Sequence, residues 1–372
     1  MYRADTIDAP SPGRLTAGAV RLRPTLLGIS SAYPPYEITK QDSWERLFQR
    51  MSPSVPFAQR IIESTGVQKR HTMWDPDTLP EVFAMLTGDR MAAHGAAVID
   101  VASRSLKRAI EGFDKHRIGS LVMACSTGYV NPGPDLLLAK ELELRSDLRR
   151  TFIGHMGCYA ALNVIKVAMD SVATRPEELV ICNCTELSSA HVRDSPMPGE
   201  DPMESLITQA LFGDASVSML MGSAPDGAGI QFLRTHTEQL YDQHTMMSLN
   251  IGNQSFWMTL APGVPAVLRD NIEGFLVKLL EPLGLSARDV SHWGIHPGGP
   301  KIVRMLGKQL ALKPAQLRAS WDVLANAGNC ASATVLLVLE NILRIDKPRR
   351  GEHGVLLTFG PGLTIEGAVL RF

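Results

Sequence analysis

The sequence lacks a dominant charge: 37 Lys and Arg stand against 38 Asp and Glu, a formal net charge of −1. No long-range field is therefore available to attract nucleic acid or an anionic membrane surface. No segment approaches the ~20 consecutive apolar residues needed to span a bilayer. The opening residues, Met1-Tyr2-Arg3-Ala4-Asp5, run into a Pro/Gly/Ser stretch without the apolar core of a signal peptide. Cysteine is scarce too. The five, Cys125, Cys158, Cys182, Cys184 and Cys330, are odd in number and irregularly spaced, which argues against a disulfide framework. A reducing cytoplasm is the expected location. The GxGxxG dinucleotide fingerprint and the GxxxxGK[ST] phosphate loop are both absent.

What is present is apolar material in quantity, 45% of 372 residues, enough for two or three ordinary domains or one doubled unit. Short apolar runs at 25–30, 118–125, 178–184 and 215–221 read as buried strands, and 41–63 and 92–113 read as helices. Glycine and proline cluster at 222–229, the best boundary candidate. Beyond it the pattern restarts, with strands at 230–235, 290–295, 355–359 and 363–370 and helices at 265–280, 301–311 and 330–344. Near-continuous apolar strands separated by helices predict an α/β fold with sheets covered on both faces. The expected organisation is a tail over 1–23, a first half over 24–226 and a second over 227–372.

Three loci carry chemistry. In Gly154-His155-Met156-Gly157-Cys158 the glycines break regular structure just before a helical pattern. Cys158 is thereby placed near a helix N-terminus, where unpaired N–H groups favour the nucleophilic thiolate. His296 follows the strand 290–295 in a rigid Pro297-Gly298-Gly299-Pro300 loop, at a strand end where α/β sheets present ligand-binding groups. His292, inside the strand, reads as structural. Asn329 sits among small residues, Ala327-Gly328-Asn329-Cys330-Ala331-Ser332, ahead of an apolar helix. It reads either as a helix cap or as an amide with room for substrate beside it. Papain-like proteases share the order Cys, His, Asn, and the offset here, 296 − 158 = 138, fits their 130–150. Their Cys-Gly-[Ser/Ala]-Cys-aromatic signature is missing, and the α/β pattern does not suit them.

At these loci the sequence resembles the type III polyketide synthases, the chalcone synthase-like enzymes of the thiolase superfamily. The resemblance continues through Gln209-Ala210-Leu211-Phe212-Gly213-Asp214 and Phe359-Gly360-Pro361-Gly362-Leu363-Thr364, and runs from about residue 24 to the C-terminus. It implies a thiolase-like fold, two similar α/β halves in a layered αβαβα arrangement, assembled as a homodimer. It also implies iterative decarboxylative condensation of malonyl-CoA onto an acyl-CoA starter, with cyclisation to a pyrone or resorcinol. CoA thioesters are the substrates; no metal or redox cofactor is required. Cys158 would carry the chain and His296 would stabilise its thiolate as an ion pair. His296 and Asn329 together would donate to the malonyl thioester oxygen.

Phe212 matches the family's gatekeeping aromatic, and Met258 is the preferred occupant of a second gate near 256–258. Ser126, Ser188, His191 and Thr208 fall at cavity positions. Lys69, Arg70 and Lys301 are the cations placed to meet CoA phosphates. Ser188 and His191 replace threonines usual in plant members, and Asn131 replaces a methionine that crosses the plant dimer interface. These departures suggest a bacterial-type member. The alternative activity is a single-round β-ketoacyl synthase III-like condensing enzyme or acyltransferase. A binding module with a decayed site is disfavoured by the intact Cys158, His296 and Asn329.

Overall fold

The computed structural model describes residues 2–3, 21–51, 53 and 55–372. Fourteen strands are present among them. They are β1 (Tyr2–Arg3), β2 (Leu22–Ala32), β3 (Tyr36–Thr39), β4 (Lys69–Thr72), β5 (Ile118–Ala124), β6 (Arg149–Ile153), β7 (Leu179–Leu187) and β8 (Asp214–Pro225), followed by β9 (Ile230–Gln239), β10 (Met247–Ile251), β11 (Phe256–Leu260), β12 (Val290–Ile295), β13 (His353–Gly360) and β14 (Thr364–Arg371). Ten of them form one mixed sheet in the order β12-β13-β14-β9-β2-β8-β7-β5-β6, with β1 added on β2. Each end of that sheet contains a parallel pairing, β12 with β13 and β5 with β6 and β7. The strands between are antiparallel. The two ends meet through a short seam between β2 and β9, Thr25 opposite Gln231 and Leu26 opposite Ile230.

Four short helices, α1 (Lys40–Ser43), α2 (Gln49–Met51), α3 (Ala58–Ser64) and α4 (Leu79–Ala84), form a cap on the first half. The longer ones are α5 (Thr87–Ala109), α6 (Pro134–Glu141), α7 (Ala160–Thr174), α8 (Pro202–Leu211), α9 (Val264–Leu280), α10 (Pro300–Gln309), α11 (Pro314–Ala327) and α12 (Ala333–Asn341). Helices α7 and α12 lie in the middle of the molecule. Their apolar residues share one core with strands of both halves, including Val217, Met219, Leu356 and Leu370. Separate cores lie under α5 and under α9 and α10. The result is the expected layered arrangement. It explains why β7 is buried at all nine positions: helices cover both of its faces.

The sequence reading departs from the structure in instructive places. The single helix expected over 41–63 is broken into α1, a π-helical turn at Trp44–Phe48, α2 and α3. Pro53 and Pro56 lack the N–H a continuous helix needs, and Phe57 is left-handed (φ 61°). Helix 330–344 begins only at Ala333, because the residues before it serve the site below. The Gly222 end of the presumed linker is strand: β8 runs to Pro225, and the turn is confined to the four residues before Ile230. Of the tail expected over 1–23, Tyr2–Arg3 pairs with β2 at Ile29 and Gly28, and Leu22 already belongs to β2; residues 4–20 lie outside the described ones.

Candidate active site

Cys158 lies in a 3-10 turn, Gly157–Tyr159, immediately before α7. Gly157 is left-handed (φ 67°), and a Cβ on it would come within 3.2 Å of the Pro361 ring. The glycine thus lets the Cys158 turn fit beneath the Gly360-Pro361 segment that follows β13. Cys158 is 5% exposed at the floor of a cavity of about 260 Å³.

Asn329 reaches the same sulfur from the other half. Its segment joins α11 to α12 and is stitched to the end of α8: Asn329 N–H donates to Leu211 O at 2.8 Å, and Gly213 N–H donates to Asn329 O at 3.0 Å. Phe212 and Asn329 are therefore partners in a two-residue parallel bridge. Gly328 makes the approach possible. Its φ is 72°, and a Cβ there would stand 2.7 Å from Leu211 O. The Asn329 side-chain oxygen accepts from Ala331 N–H (2.9 Å) and Thr334 Oγ1 (3.3 Å). With that oxygen engaged, the amide N–H end is oriented, and the Asn329 side chain acts to lower the Cys158 pKa. Of the two readings of Asn329, the structure shows the capping one: its side-chain oxygen caps its own turn.

His296 is held by its backbone, its N–H on Leu357 O (2.8 Å) and its carbonyl receiving Gly298 N–H (2.9 Å). It is 1% exposed, and neither ring nitrogen has a hydrogen-bond partner among the described residues. Two buried donor-acceptor atoms without partners carry a desolvation cost that a bound ligand would relieve. Burial pushes the imidazole down to about 3 and, with the charge of Glu186, pushes the Cys158 thiol up to about 12; the Asn329 hydrogen bond acts in the opposite direction. Burial therefore favours a neutral thiol at Cys158 and a neutral imidazole at His296. An ion pair forms only where mutual attraction exceeds the cost of burying two charges.

Around this floor the cavity gathers Ser126, Ser188, His191, Thr208, Phe212 and Met258, all six of the expected lining residues. Phe256 and Trp257 line it as well, with Leu249 and Ile251, so both strands of the β10–β11 hairpin contribute to one wall. The cations behave differently. Arg70 also lines the cavity but is only 6% exposed; its guanidinium donates to Phe212 O (2.7 Å) and to Gln209 O, and it lies over the Phe48 ring. It braces the gatekeeper from inside and is not a cation waiting at a tunnel mouth. Lys69 pairs with Glu37 at 2.8 Å on the surface, and Lys301 is exposed at the start of α10; neither lines the cavity.

Sequence reasoning missed Glu186. Fully buried, it accepts from Ser126 N–H and Oγ (both 3.0 Å), Thr127 N–H (3.1 Å) and Ser332 Oγ (2.6 Å). It ties the loop after β5 to the segment after Asn329. A carboxylate inside the mostly apolar strand Leu179–Leu187 was the available signal, because a buried charge requires several partners.

Two sequence families divide the chain between them. Chalcone and stilbene synthases, N-terminal domain, match residues 16–225, and the C-terminal domain of the same enzymes matches residues 232–372. The chain belongs to the chalcone and stilbene synthase family. It is a type III polyketide synthase, an acyltransferase-type enzyme that joins units by decarboxylating condensation, in a family that uses malonyl-CoA and acyl-CoA. Among solved structures it is similar to PKS-I from the brown alga Ectocarpus siliculosus, with 26% identity, a TM-score of 0.88, and 95% of this chain and 100% of that one covered. It is also similar to the C-terminal type III polyketide synthase domain of Steely1, a type I/III hybrid from Dictyostelium, with 25% identity, a TM-score of 0.84, and coverage of 94% and 99%. The bacterial-type affinity suggested by the departures from plant members gains no support from these relatives. None of the helices among the described residues is long and apolar enough to cross a membrane.

Proposed function

We propose that this synthase loads an acyl-CoA starter on Cys158, extends it iteratively with malonyl-CoA, and releases a cyclised pyrone- or resorcinol-type product. The observation that carries the reading is Cys158, placed just before α7, in one cavity with Phe212, whose backbone is bridged to Asn329. In the loading step His296 accepts the Cys158 proton and the sulfur attacks the thioester carbonyl. The CoA thiolate departs and is protonated by the imidazolium, leaving a thioester on Cys158. Malonyl-CoA then loses CO₂, and the electron pair of the broken C–C bond enters an enolate. Its oxygen is held by the Asn329 amide N–H and by His296, donors fixed before charge develops. The enolate carbon attacks the acyl-Cys158 carbonyl, and the Cys158 thiolate leaves. The product is a β-ketoacyl-CoA two carbons longer, ready to reload.

The reaction so written uses no metal or redox cofactor. Solvent-facing Lys69 and Lys301 remain candidates for CoA phosphate contacts. The proposed dimer face lies around Asn131, where Tyr129, Val130, Leu136, Leu137, Phe152 and Met156 are exposed apolar side chains. The proposed halves are 24–226 and 227–372, and a cytoplasmic location suits the CoA substrates.

Incubation with malonyl-CoA and a panel of acyl-CoAs, with products read by mass, tests the reading. Products extended by two or more malonyl-derived units and cyclised support it. A β-ketoacyl product of a single extension would instead assign a single-round condensing enzyme.

A further inference from the structure

The reaction carries a proton balance. In the first loading the Cys158 proton passes by way of His296 to the departing CoA thiolate, so nothing is drawn from solvent. Extension is different. Decarboxylation leaves its electron pair in the enolate, and attack on the acyl group returns Cys158 as a thiolate with no proton released. When that thiolate attacks the β-ketoacyl-CoA, one C–S bond forms and the other breaks, and the electron pair leaves on the CoA sulfur. Each reloading therefore consumes one proton that only solvent can supply.

His296 has no route to that proton, since it is 1% exposed and both of its ring nitrogens are sealed from solvent. Three other imidazoles, His71, His155 and His191, line the cavity with Cys158. His191 has both nitrogens committed, to Thr127 O and to the Phe256 N–H. His71 is stacked on Tyr33, with Nδ1 3.3 Å from Pro34 O and Nε2 3.9 Å from Glu37. A phenol is a weaker acid than a thiol, which sets aside Tyr129 on the same rim. His155 is exposed and has no hydrogen-bond or ion-pair partner among the described residues. It stands three positions before Cys158 in a left-handed conformation (φ 62°), uncommon for a residue other than glycine. Strain of that kind collects at functional sites. We propose that His155 is the acid that protonates the departing CoA thiolate at each reloading. Its imidazolium gives a proton to the CoA sulfur, and the neutral ring regains one from solvent. The proposal rests on iterative extension at Cys158.

The test uses the full-length protein and two variants, His155→Asn and His155→Gly, because both residues accept a left-handed backbone. Acylation of Cys158 by hexanoyl-CoA is read by intact-protein mass. Products formed with malonyl-CoA are read by mass as the ratio of two or more extensions to one. Initial acylation should keep its wild-type rate, since its proton comes from Cys158 itself. The extension ratio should fall on the order of 10²-fold, the lower end of what positioned proton transfer contributes. A wild-type ratio in both variants overturns the proposal. So does an equal loss of first acylation and later extension, the mark of a purely structural part. A wild-type protein that stops after one extension removes the iterative reading, and one never acylated removes Cys158 as the loading nucleophile; the proposal falls with either.

Discussion

His191 and Phe256 are joined twice. The Phe256 N–H donates to His191 Nδ1 at 3.0 Å, and the two rings stack with centroids 4.5 Å apart and planes 13° from parallel. Because Nδ1 accepts, Nε2 carries the proton and donates it to Thr127 O. One neutral imidazole therefore spans the cavity between the loop after β5 and the β11 wall. A threonine at 191, as in plant relatives, cannot reach both ends. His191→Thr is expected to release the 256–258 wall, shift the product distribution toward longer chains, and cost about 1–3 kcal/mol in stability from two lost buried hydrogen bonds. Product mass profiles and urea unfolding check both; an unchanged profile would remove His191 from control of cavity width.

Buried imidazoles also set the acid limit of the fold. Burial depresses His191 and His296 to about 3 and His94 to about 4. Each has a folded pKa below the unfolded value of about 6.5, so the unfolded chain binds more protons below that pH. Their stabilising contribution is full above pH 6.5 and is lost as pH falls toward 4, at about 1.4 kcal/mol per pH unit for each. Asp214 opposes them: burial raises its carboxyl to about 7 against hydrogen bonds from Ser189 and Met73, so between pH 7 and 4 the folded state holds its proton. Glu186 and Glu366, also raised by burial, act with Asp214, and His71, His236 and His353, also lowered, act with the other imidazoles. Six against three leaves a net loss. The urea midpoint should fall between pH 7 and pH 5, and a flat or rising midpoint would contradict the placement of these histidines.

The resting state of the nucleophile is open to direct measurement. With Cys158 raised to about 12 and His296 lowered to about 3, the free enzyme holds a thiol across neutral pH. Alkylation of Cys158 by iodoacetamide should climb by about tenfold per pH unit from pH 6 to 9, following the small thiolate fraction. A plateau already present at pH 6 would show that the ion pair implied by family resemblance exists before substrate arrives.

Removing the sulfur isolates the donors. Cys158→Ala should show no acyl adduct by mass spectrometry. In a Cys158→Gln background, where the amide stands in for the acylated sulfur, malonyl-CoA should still be decarboxylated. Adding Asn329→Ala should slow that reaction on the order of 10²-fold, the scale of losing one oxyanion donor. An unchanged rate would take Asn329 out of the role.

Gly328→Ala offers a test that leaves every proposed catalytic side chain in place. The added Cβ would meet Leu211 O at 2.7 Å with φ at 72°, so the Asn329 segment must move away from α8. Decarboxylation should fall with little change in KM for malonyl-CoA. Wild-type rates from a folded variant would show that the bridge to Phe212 does not position the amide.

The catalytic loci were legible because each is a short word whose glycines and prolines force local geometry: Gly157 before Cys158, Pro297-Gly298-Gly299-Pro300 after His296, Gly328 before Asn329. The sheet strands were legible because burial on both faces writes itself as an apolar run. Arg70 was misplaced because its partners, Gln209 and Phe212, lie 139 and 142 positions away, and no local pattern distinguishes an inward guanidinium from a surface one. The bridging role of His191 depends likewise on Thr127 and Phe256, 64 and 65 positions distant. The β10–β11 hairpin was hidden although Met247-Ser248-Leu249-Asn250-Ile251 alternates, because Phe256–Leu260 does not and both strands have only five residues.

The bridge between Phe212 and Asn329 makes the proposed gate and the proposed donor a single mechanical part. Any substitution that widens the cavity by shifting the Phe212 backbone would move the Asn329 segment with it. The opposite wall, Phe256 to Met258, hangs on a hairpin that shares no strand pairing with the catalytic segments. A substitution in the hairpin would therefore reshape that wall without breaking the Phe212–Asn329 bridge.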